Sequence, residues 1–155
     1  MVQEIERKFR VKILPEGLDQ YSHKEITQGY VKITENTEER VRQKGDRYFH
    51  TIKTGSGLSR GEDEKEITID EYKSGLKNAE DRVVEKTRYE IPYSGRVIEL
   101  DVYQGKLDGL ITAEIEFPSV ESSNNFTPPE WFGTEVTEDK RYKNQSLSVE
   151  GIPSD

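Results

Sequence analysis

Charged and apolar residues alternate along much of this sequence, and the alternation predicts β-strands. Glu4, Glu6 and Lys8 occupy every second position near the start. Because successive side chains of a strand point to opposite faces, these three residues would share one face. Ile5 and Phe9 would lie on the other. Similar patterns predict eight strands, at residues 2–11, 26–33, 38–44, 48–54, 64–69, 83–91, 96–104 and 112–117.

Three stretches outside the strands predict short helices. Asp70 is placed to cap a helix over residues 71–79, and Thr137 to cap one over residues 138–142. A polar stretch from residue 118 to residue 126 is the third. Eight antiparallel strands can close on themselves, which removes exposed sheet edges. The expected fold is therefore mainly β, an eight-stranded antiparallel closed β-barrel with a few short helices packed outside.

The composition leaves little material for a hydrophobic core. The 155 residues are enough for one domain of ordinary size, expected to span residues 1–155. Hydrophobic residues make up 31% and charged residues 35%, which approaches the composition of disordered chains. Eight tyrosines and five phenylalanines in alternating runs nevertheless favour folded strands. A fold whose interior is itself polar and charged would satisfy both observations.

The net charge and the missing residue types exclude several kinds of site. A formal net charge of −8 argues against binding to nucleic acid or to a membrane surface. No cysteine is present, which excludes disulfides, thiolate metal ligands and a cysteine nucleophile. His23 and His50 are too few for a histidine-rich metal site. No apolar run approaches membrane-spanning length, so a cytoplasmic protein is expected.

Six segments carry charged residues two positions apart, and these sets allow two interpretations. In the first, the charges face water and the apolar residues pack a conventional core. In the second, the apolar faces pack outward against helices and the charges line the lumen of a barrel. Repetition on six segments, often with one sign of charge per pair, favours the lumen. The sets are Glu4/Glu6/Lys8, Arg40/Arg42, Glu64/Glu66, Lys86/Arg88, Glu99/Asp101 and Glu114/Glu116.

The charged groups of such a lumen suit one class of ligand. Carboxylates without histidine or cysteine are ligands for hard divalent cations such as Mg²⁺ and Mn²⁺. Arginine and lysine bind phosphate oxygens, arginine often through two hydrogen bonds. A metal-bound polyphosphate uses both, and the sequence contains no P-loop. The carboxylates are Glu4, Glu6, Glu64, Glu66, Glu99, Asp101, Glu114 and Glu116, and the cations are Lys8, Arg40, Arg42, Lys53, Lys86 and Arg88.

The segment Glu4-Ile5-Glu6-Arg7-Lys8-Phe9 resembles the ExExK signature of the CYTH superfamily, the triphosphate tunnel metalloenzymes. Further segments match in the family's order, so the resemblance covers nearly the whole chain. It is greatest for compact bacterial members that consist of the tunnel domain alone. The other matching segments are Gln28-Gly29-Tyr30, Arg40/Arg42, Lys53, Leu58-Ser59-Arg60, Glu64/Glu66, and residues 84–89, 99–102, 114–117 and 137–142.

The resemblance implies a fold and a set of roles. Members of this superfamily form an eight-stranded antiparallel barrel around a tunnel and act on triphosphates. It implies that the triphosphate is held by Lys8, Arg40, Arg42, Lys53, Lys86 and Arg88, and divalent metal by some of the eight carboxylates. Arg60 is a further candidate for phosphate binding, as are Lys140 and Arg141 near the C-terminus.

Two metal ions, Mg²⁺ or Mn²⁺, and two catalytic side chains are expected. One ion would bridge phosphate oxygens, and the other would help to activate the attacking water. Glu4, Glu6 and Glu116 are the first choice for the second ion. Lys8 is a candidate general base if its pKa is lowered, assisted by Tyr30 if that hydroxyl reaches it. The alternatives are phosphate binding alone for Lys8 and packing for Tyr30.

The expected function is metal-dependent hydrolysis of inorganic triphosphate to pyrophosphate and orthophosphate. A class IV adenylate cyclase and a thiamine or nucleoside triphosphatase are the alternative enzymes. A polyphosphate-binding module without turnover is an alternative of another class, and an ordinary acidic barrel with a dry core is a third. A monomer or homodimer is expected, with triphosphate as the partner and neither nucleic acid nor membrane.

Overall fold

A computed structural model describes residues 5–55 and 61–154 of the chain. Within these ranges, nine strands form one antiparallel sheet. The strands are β1 (Ile5–Val11), β2 (Ser22–Ile33), β3 (Thr37–Lys44), β4 (Arg47–Thr54), β5 (Gly61–Glu66), β6 (Val83–Tyr93), β7 (Arg96–Gln104), β8 (Ile111–Phe117) and β9 (Phe132–Glu135). The helices are α1 (Ile69–Ala79), α2 (Val120–Asn124) and α3 (Asn144–Glu150), and the 3-10 helices are Leu18–Gln20, Gly105–Leu107 and Lys140–Tyr142. None of the described helices is long and apolar enough to cross a membrane.

The strand order across the sheet is β5-β4-β3-β2-β6-β7-β8-β1-β9. The mainly β, antiparallel architecture is confirmed, but the prediction of eight strands misses β9. This four-residue strand follows a Pro-Pro break, lacks alternating charge, and pairs with β1 at Phe9 and Val11. Within the described residues β5 and β9 form the two edges and do not pair with each other. Closure of the sheet into a barrel is therefore not confirmed.

Helix α1 begins two residues before the predicted start because Thr68, not Asp70, caps it. The Thr68 hydroxyl accepts a hydrogen bond from the Glu71 backbone nitrogen at 3.2 Å, and the Glu71 carboxylate accepts one from the Thr68 backbone nitrogen. This reciprocal arrangement satisfies two backbone donors of the first helical turn. Strand β5 accordingly ends at Glu66 rather than at residue 69.

Two glycines bring α1 close to the sheet. A Cβ atom at Gly29 would lie 2.8 Å from the Ala79 side chain, and one at Gly75 would lie 2.6 Å from Val41. A larger residue at either position would push the helix away from β2 or β3. The close approach that a glycine inside the second strand predicts is thus present.

The C-terminal segment contains more structure than the sequence predicts. Asp139, not Thr137, caps the last 3-10 helix, because its carboxylate accepts a hydrogen bond from the Arg141 backbone nitrogen at 3.1 Å. Thr137 instead accepts a hydrogen bond from the Lys8 backbone nitrogen at 3.0 Å, which ties this segment to β1. Helix α3 follows, in a stretch for which no element is predicted.

One face of the sheet, which we call the apolar face, packs against loops and short helices. Ile98, Leu100 and Ile115 are completely or almost completely buried there. Trp131 and Phe132 pack against this cluster and so help to fix the C-terminal segment to the sheet. The main hydrophobic core of β1, β6, β7 and β8 therefore lies on this face.

Arg7, inside the signature segment, holds three elements together on the apolar face. Its guanidinium donates hydrogen bonds to both Glu135 carboxylate oxygens, at 2.9 and 2.7 Å, and to the Ser123 carbonyl at 2.9 Å. It also lies 5.2 Å from the ring centroid of Phe9 and 5.8 Å from that of Phe126. The hydrogen bonds from Arg7 lower the pKa of Glu135. One side chain thereby joins β1, β9 and the end of α2.

The opposite face of the sheet, which we call the charged face, has an apolar cluster at one end. Tyr30, Val84 and Tyr103 on this face pack against Tyr142 and Leu147 of the C-terminal segment. All five residues are buried. The C-terminal segment therefore covers one end of the charged face, which we call the covered end.

Candidate active site

Strand register brings the predicted charged pairs onto the charged face. Residues directly opposite each other in antiparallel strands share a face. Lys8 lies opposite Glu114, and Glu114 lies opposite Glu99. Fourteen of the predicted site residues share this face: Glu6, Lys8, Tyr30, Arg40, Arg42, Lys53, Glu64, Glu66, Lys86, Arg88, Glu99, Asp101, Glu114 and Glu116.

Several of these charged side chains are buried although they lie opposite the main apolar core. The side chain of Lys86 is 1% exposed and that of Asp101 is 7% exposed. Those of Arg40 and Arg42 are 12% and 15% exposed. Lys8 on β1 also interacts electrostatically with Arg88 on β6, three strands across the sheet. A flat sheet open to water would leave such groups exposed, which favours a sheet that curves toward its charged face, so that this face is concave.

Asp101 forms the most buried ion cluster of this face. Its carboxylate accepts two hydrogen bonds from the Arg88 guanidinium, at 2.8 and 3.0 Å, and lies 2.8 Å from the Lys86 ammonium. Burial alone would raise the pKa of Asp101, but Lys86 and Arg88 hold it well below its usual range. Burial lowers the pKa of Lys86 to about 8 even though Asp101 opposes the change. Asp101 therefore orients two of the predicted phosphate-binding cations.

Arg40 and Arg42 keep hydrogen-bonding capacity in the buried part of this face. Among residues 5–55 and 61–154, the buried Nε atom of each guanidinium has no hydrogen-bond partner. Each guanidinium forms a long ion pair that is beyond hydrogen-bond distance, Arg40 with Glu38 at 3.8 Å and Arg42 with Glu64 at 3.9 Å. Burial, followed by the charge of Arg40, lowers the pKa of Arg42. Two desolvated and under-paired guanidinium groups on one strand are suited to an oxyanion ligand.

Lys8 faces the covered end of this face. Its ammonium donates a hydrogen bond to the backbone carbonyl of Tyr142 at 2.6 Å. Burial lowers the pKa of Lys8, while Glu114 and Asp101 oppose that change. The predicted general base is thus placed where its proton affinity is reduced, which is the condition that its candidacy requires.

Tyr30 has different partners from Lys8. Its hydroxyl oxygen accepts a hydrogen bond from the Gln28 side-chain nitrogen at 2.7 Å, and it also interacts with the Arg40 side chain. Burial raises the pKa of Tyr30 to about 12, so the hydroxyl keeps its proton near neutral pH. Because its oxygen already accepts from nitrogen donors, the hydroxyl can direct its proton to a ligand oxygen.

The remaining carboxylates form like-charged pairs across three neighbouring strands. Glu6 lies opposite Glu116, and Glu99 lies opposite Glu114. Burial raises the pKa of Glu99. The charge of Arg88 opposes this change, and the charge of Glu114 adds to it. Lys8 lies opposite Glu114, and Arg88 pairs with Glu99 at 3.1 Å. Four carboxylates this close together would gain from further positive charge, so this part of the face suits a hard divalent metal. Glu90, Glu99 and Glu116 also border a cavity of about 380 Å³.

Within residues 5–55 and 61–154, no three histidine, aspartate or glutamate side chains approach closely enough to enclose a metal by themselves. Mg²⁺ usually takes one or two protein carboxylates and completes its coordination with substrate phosphates and water. At least four predicted ligands already have other partners. Asp101 binds its two cations, Glu99 accepts from Arg88 at 3.1 Å, Glu66 pairs with Arg47 at 2.8 Å, and Glu64 accepts from Thr51 at 2.7 Å.

The other four predicted site residues fall into two groups. Glu4 and Arg60 are outside the described residues. Lys140 and Arg141 are exposed on the last 3-10 helix. Arg141 pairs with Asp139 at 2.7 Å. Phosphate binding by Lys140 and Arg141 stays a prediction.

Two lysines on the charged face were not included in the predicted site. Lys44 continues the Arg40/Arg42 series on β3, and Lys24 lies opposite Arg88 on β2. The sequence does indicate Lys44, because it is a third cation at the two-residue spacing of Arg40 and Arg42. Lys24 carried no comparable signal, because its side of β2 is otherwise uncharged and its position depends on long-range register.

Comparisons with known proteins point to one family. Over 149 residues the chain is 45% identical to an inorganic triphosphatase of Nitrosomonas europaea, covering 94% of this chain and 97% of that protein. It is 38% identical over 154 residues to an inorganic triphosphatase of Acetivibrio thermocellus, covering 95% and 94%. A crystal structure described as an inorganic triphosphatase superposes with a TM-score of 0.79 at 42% identity, covering 99% of both chains. No family model matches the sequence.

Proposed function

Because this chain belongs to the inorganic triphosphatases of the CYTH, or triphosphate tunnel, superfamily, we propose that it hydrolyses inorganic triphosphate to pyrophosphate and orthophosphate on its charged face. The observation that carries the proposal is the pair of buried, under-paired guanidinium groups of Arg40 and Arg42. They lie on the same concave face as the ion cluster of Asp101. This supports a site that holds a chain of phosphates away from bulk water.

Six cationic side chains on four strands together bind the phosphates. Arg40 and Arg42 approach from β3, Lys53 from β4, and Lys8 from β1. Lys86 and Arg88 approach from β6 in the orientation that Asp101 gives them. Their combined charge offsets the charge of the triphosphate and that of the oxygens that develop charge during bond cleavage.

Glu99, Glu114 and Glu116, together with Glu6, are the carboxylates that would hold a divalent metal. They fit because their charges oppose one another across β1, β8 and β7. The metal, when bound, would neutralise phosphate oxygens and lower the pKa of a bound water. Glu4 adjoins this set in the sequence, and both the choice between Mg²⁺ and Mn²⁺ and the expected second ion belong to this proposal.

Lys8 and Tyr30 act on protons of the reaction in different ways. Lys8 has a lowered pKa, which supports binding a phosphate oxygen and exchanging a proton with the reacting groups. Tyr30 stays protonated and donates its hydrogen bond to the substrate. Gln28 positions that hydroxyl. We also propose that the whole chain forms a single domain whose sheet curls around the phosphates as a tunnel.

The proposed reaction is tested by a panel of substrates. Tripolyphosphate, ATP and thiamine triphosphate are incubated with and without Mg²⁺ or Mn²⁺, and released orthophosphate and cyclic AMP are measured. We expect rapid metal-dependent release of orthophosphate from tripolyphosphate and at least tenfold slower release from the organic triphosphates. The matched control is Lys73→Gln, an exposed residue of α1, which should behave as the unmodified protein.

Other outcomes of this assay identify the rival functions. Formation of cyclic AMP without orthophosphate release would identify a cyclase and contradict the proposal. Tight binding of tripolyphosphate without hydrolysis in either metal would identify a binding module instead.

A further inference from the structure

Lys44 extends the cationic row of β3 beyond the proposed triphosphate site. Arg40, Arg42 and Lys44 lie at alternate positions and face the same side of the strand. At about 3.3 Å per residue, this row spans about 13 Å. Lys44 is at the end of the row away from Tyr30, which packs in the covered end of the charged face. The row therefore continues toward the opposite end, which we call the open end.

Lys24 joins Lys44 at the open end. Lys24 lies directly opposite Arg88, and Ile26, two residues further along β2, lies opposite Lys44. Lys24 and Lys44 are therefore diagonal neighbours on the charged face. Lys24 is exposed, whereas Lys44 is half-buried. Ile26, the cross-strand neighbour of Lys44, is 1% exposed.

The two lysines lie among other cations. Burial lowers the pKa of Lys44, and the charges of Arg42, Arg88 and Lys24 lower it further, against the effect of Glu99. Arg88 has Asp101 and Glu99 as partners. Among the described residues, no carboxylate lies at ion-pair distance from either lysine. A half-buried ammonium surrounded by like charges indicates a place for an anion.

An inorganic anion fits this place better than a nucleoside does. Phe49 lies opposite Arg42 on β4 and places an aromatic ring on the same face, close to Lys44. The Arg47 guanidinium lies 5.4 Å from the centroid of that ring, so a base would compete with Arg47 for stacking. Lys24 and Lys44 offer compact ammonium groups, which bind phosphate as point charges.

We propose that Lys24 and Lys44 form an additional phosphate subsite, which holds the fourth phosphate of linear inorganic tetraphosphate while the other three occupy the triphosphate site. The proposal rests on the proposed function for the position of those three phosphates. It predicts that the protein binds tetraphosphate more tightly than triphosphate, and that these two lysines carry the difference.

Binding of both anions is measured by calorimetry in the presence of EDTA, so that no metal and no turnover contribute. The unmodified protein should bind tetraphosphate about tenfold or more tightly than triphosphate, since a charge-assisted phosphate contact is worth about that factor. Lys24→Gln/Lys44→Gln should bind the two anions with nearly equal affinity. Lys24→Gln/Lys44→Arg should keep part of the preference for tetraphosphate that Lys24→Gln/Lys44→Gln loses. The control Lys73→Gln should keep all of it.

Two results would overturn the subsite. The first is an undiminished preference for tetraphosphate in the double variant. The second is an equal loss of affinity for both anions that disappears at high salt, because that behaviour identifies general electrostatic attraction.

Failure of the subsite is distinguishable from failure of the proposed function, because orthophosphate release from tripolyphosphate with metal is assayed separately. Lysine-dependent preference for tetraphosphate without any such release would keep the subsite and reject the triphosphatase.

Discussion

Arg42→Gln should reduce kcat/KM for tripolyphosphate by about 100- to 1,000-fold, the usual loss when one preorganised donor to a developing oxyanion is removed. The side chain of Arg42 is 15% exposed, its Nε has no hydrogen-bond partner among the described residues, and its carboxylate neighbour Glu64 lies 3.9 Å away. The guanidinium is therefore available to phosphate rather than committed to the fold. Steady-state phosphate release at saturating metal measures the effect.

The same substitution should leave the protein as stable as before or slightly more stable. Burial and the neighbouring charge of Arg40 lower the pKa of Arg42, which means that the folded state disfavours its charge. Thermal unfolding of Arg42→Gln and of the control Lys73→Gln should give midpoints at or above that of the unmodified protein. A large loss of stability together with the loss of activity would show that Arg42 supports the fold instead.

Asp101→Asn should be the most destabilising single substitution on the charged face, by about 3–5 kcal/mol near neutral pH, because it leaves the buried Lys86 without its carboxylate and Arg88 with Glu99 alone. Lys86 and Arg88 both bind Asp101, and the Lys86 side chain is 1% exposed. Activity should fall as well, since both cations would lose their orientation. Denaturant unfolding is the measurement, and Asp108→Asn, an exposed aspartate, is the matched control.

The effect of Asp101 should also depend on pH. The folded state holds the pKa of this carboxyl below its usual value, so its stabilising contribution is present above the unfolded pKa of about 3.9 and declines as the pH falls toward the folded pKa. The stabilities of the unmodified protein and Asp101→Asn should therefore converge between about pH 5 and pH 2. A constant difference across this range, or no difference at neutral pH, would contradict the ion cluster described here.

Most strands could be predicted from the sequence because alternation is a local signal. The i,i+2 spacing of the charged pairs on β1, β3, β6, β7 and β8 predicts that the two residues of each pair share a face of their strand. The register then places all these pairs on one face of the sheet. β9 escaped prediction because Phe132–Glu135 has no alternation and is held by Arg7, which is more than a hundred residues away in sequence. The predicted start of α1 is two residues too late because Thr68 and Asp70 are both good capping residues. Only Thr68 has a glutamate, Glu71, three positions later to complete a capping box.

The roles within the site were harder to predict than its composition. Asp101 and Glu99 have the same spacing as the other carboxylate pairs, yet Asp101 lies between Lys86 and Arg88. Which carboxylate meets a cation and which meets another carboxylate depends on cross-strand register, which no local pattern contains. For the same reason Lys24 was not recognised beside Arg88.

The most direct test of the concave charged face as the triphosphate site is diffraction from crystals grown with Mn²⁺ and a non-hydrolysable triphosphate analogue. The anomalous signal of manganese should lie between the phosphate oxygens and the carboxylates of Glu99, Glu114 or Glu116, and Arg42 should donate hydrogen bonds to the analogue. Manganese and analogue bound outside the charged face, with Arg40 and Arg42 still lacking a ligand, would contradict the account.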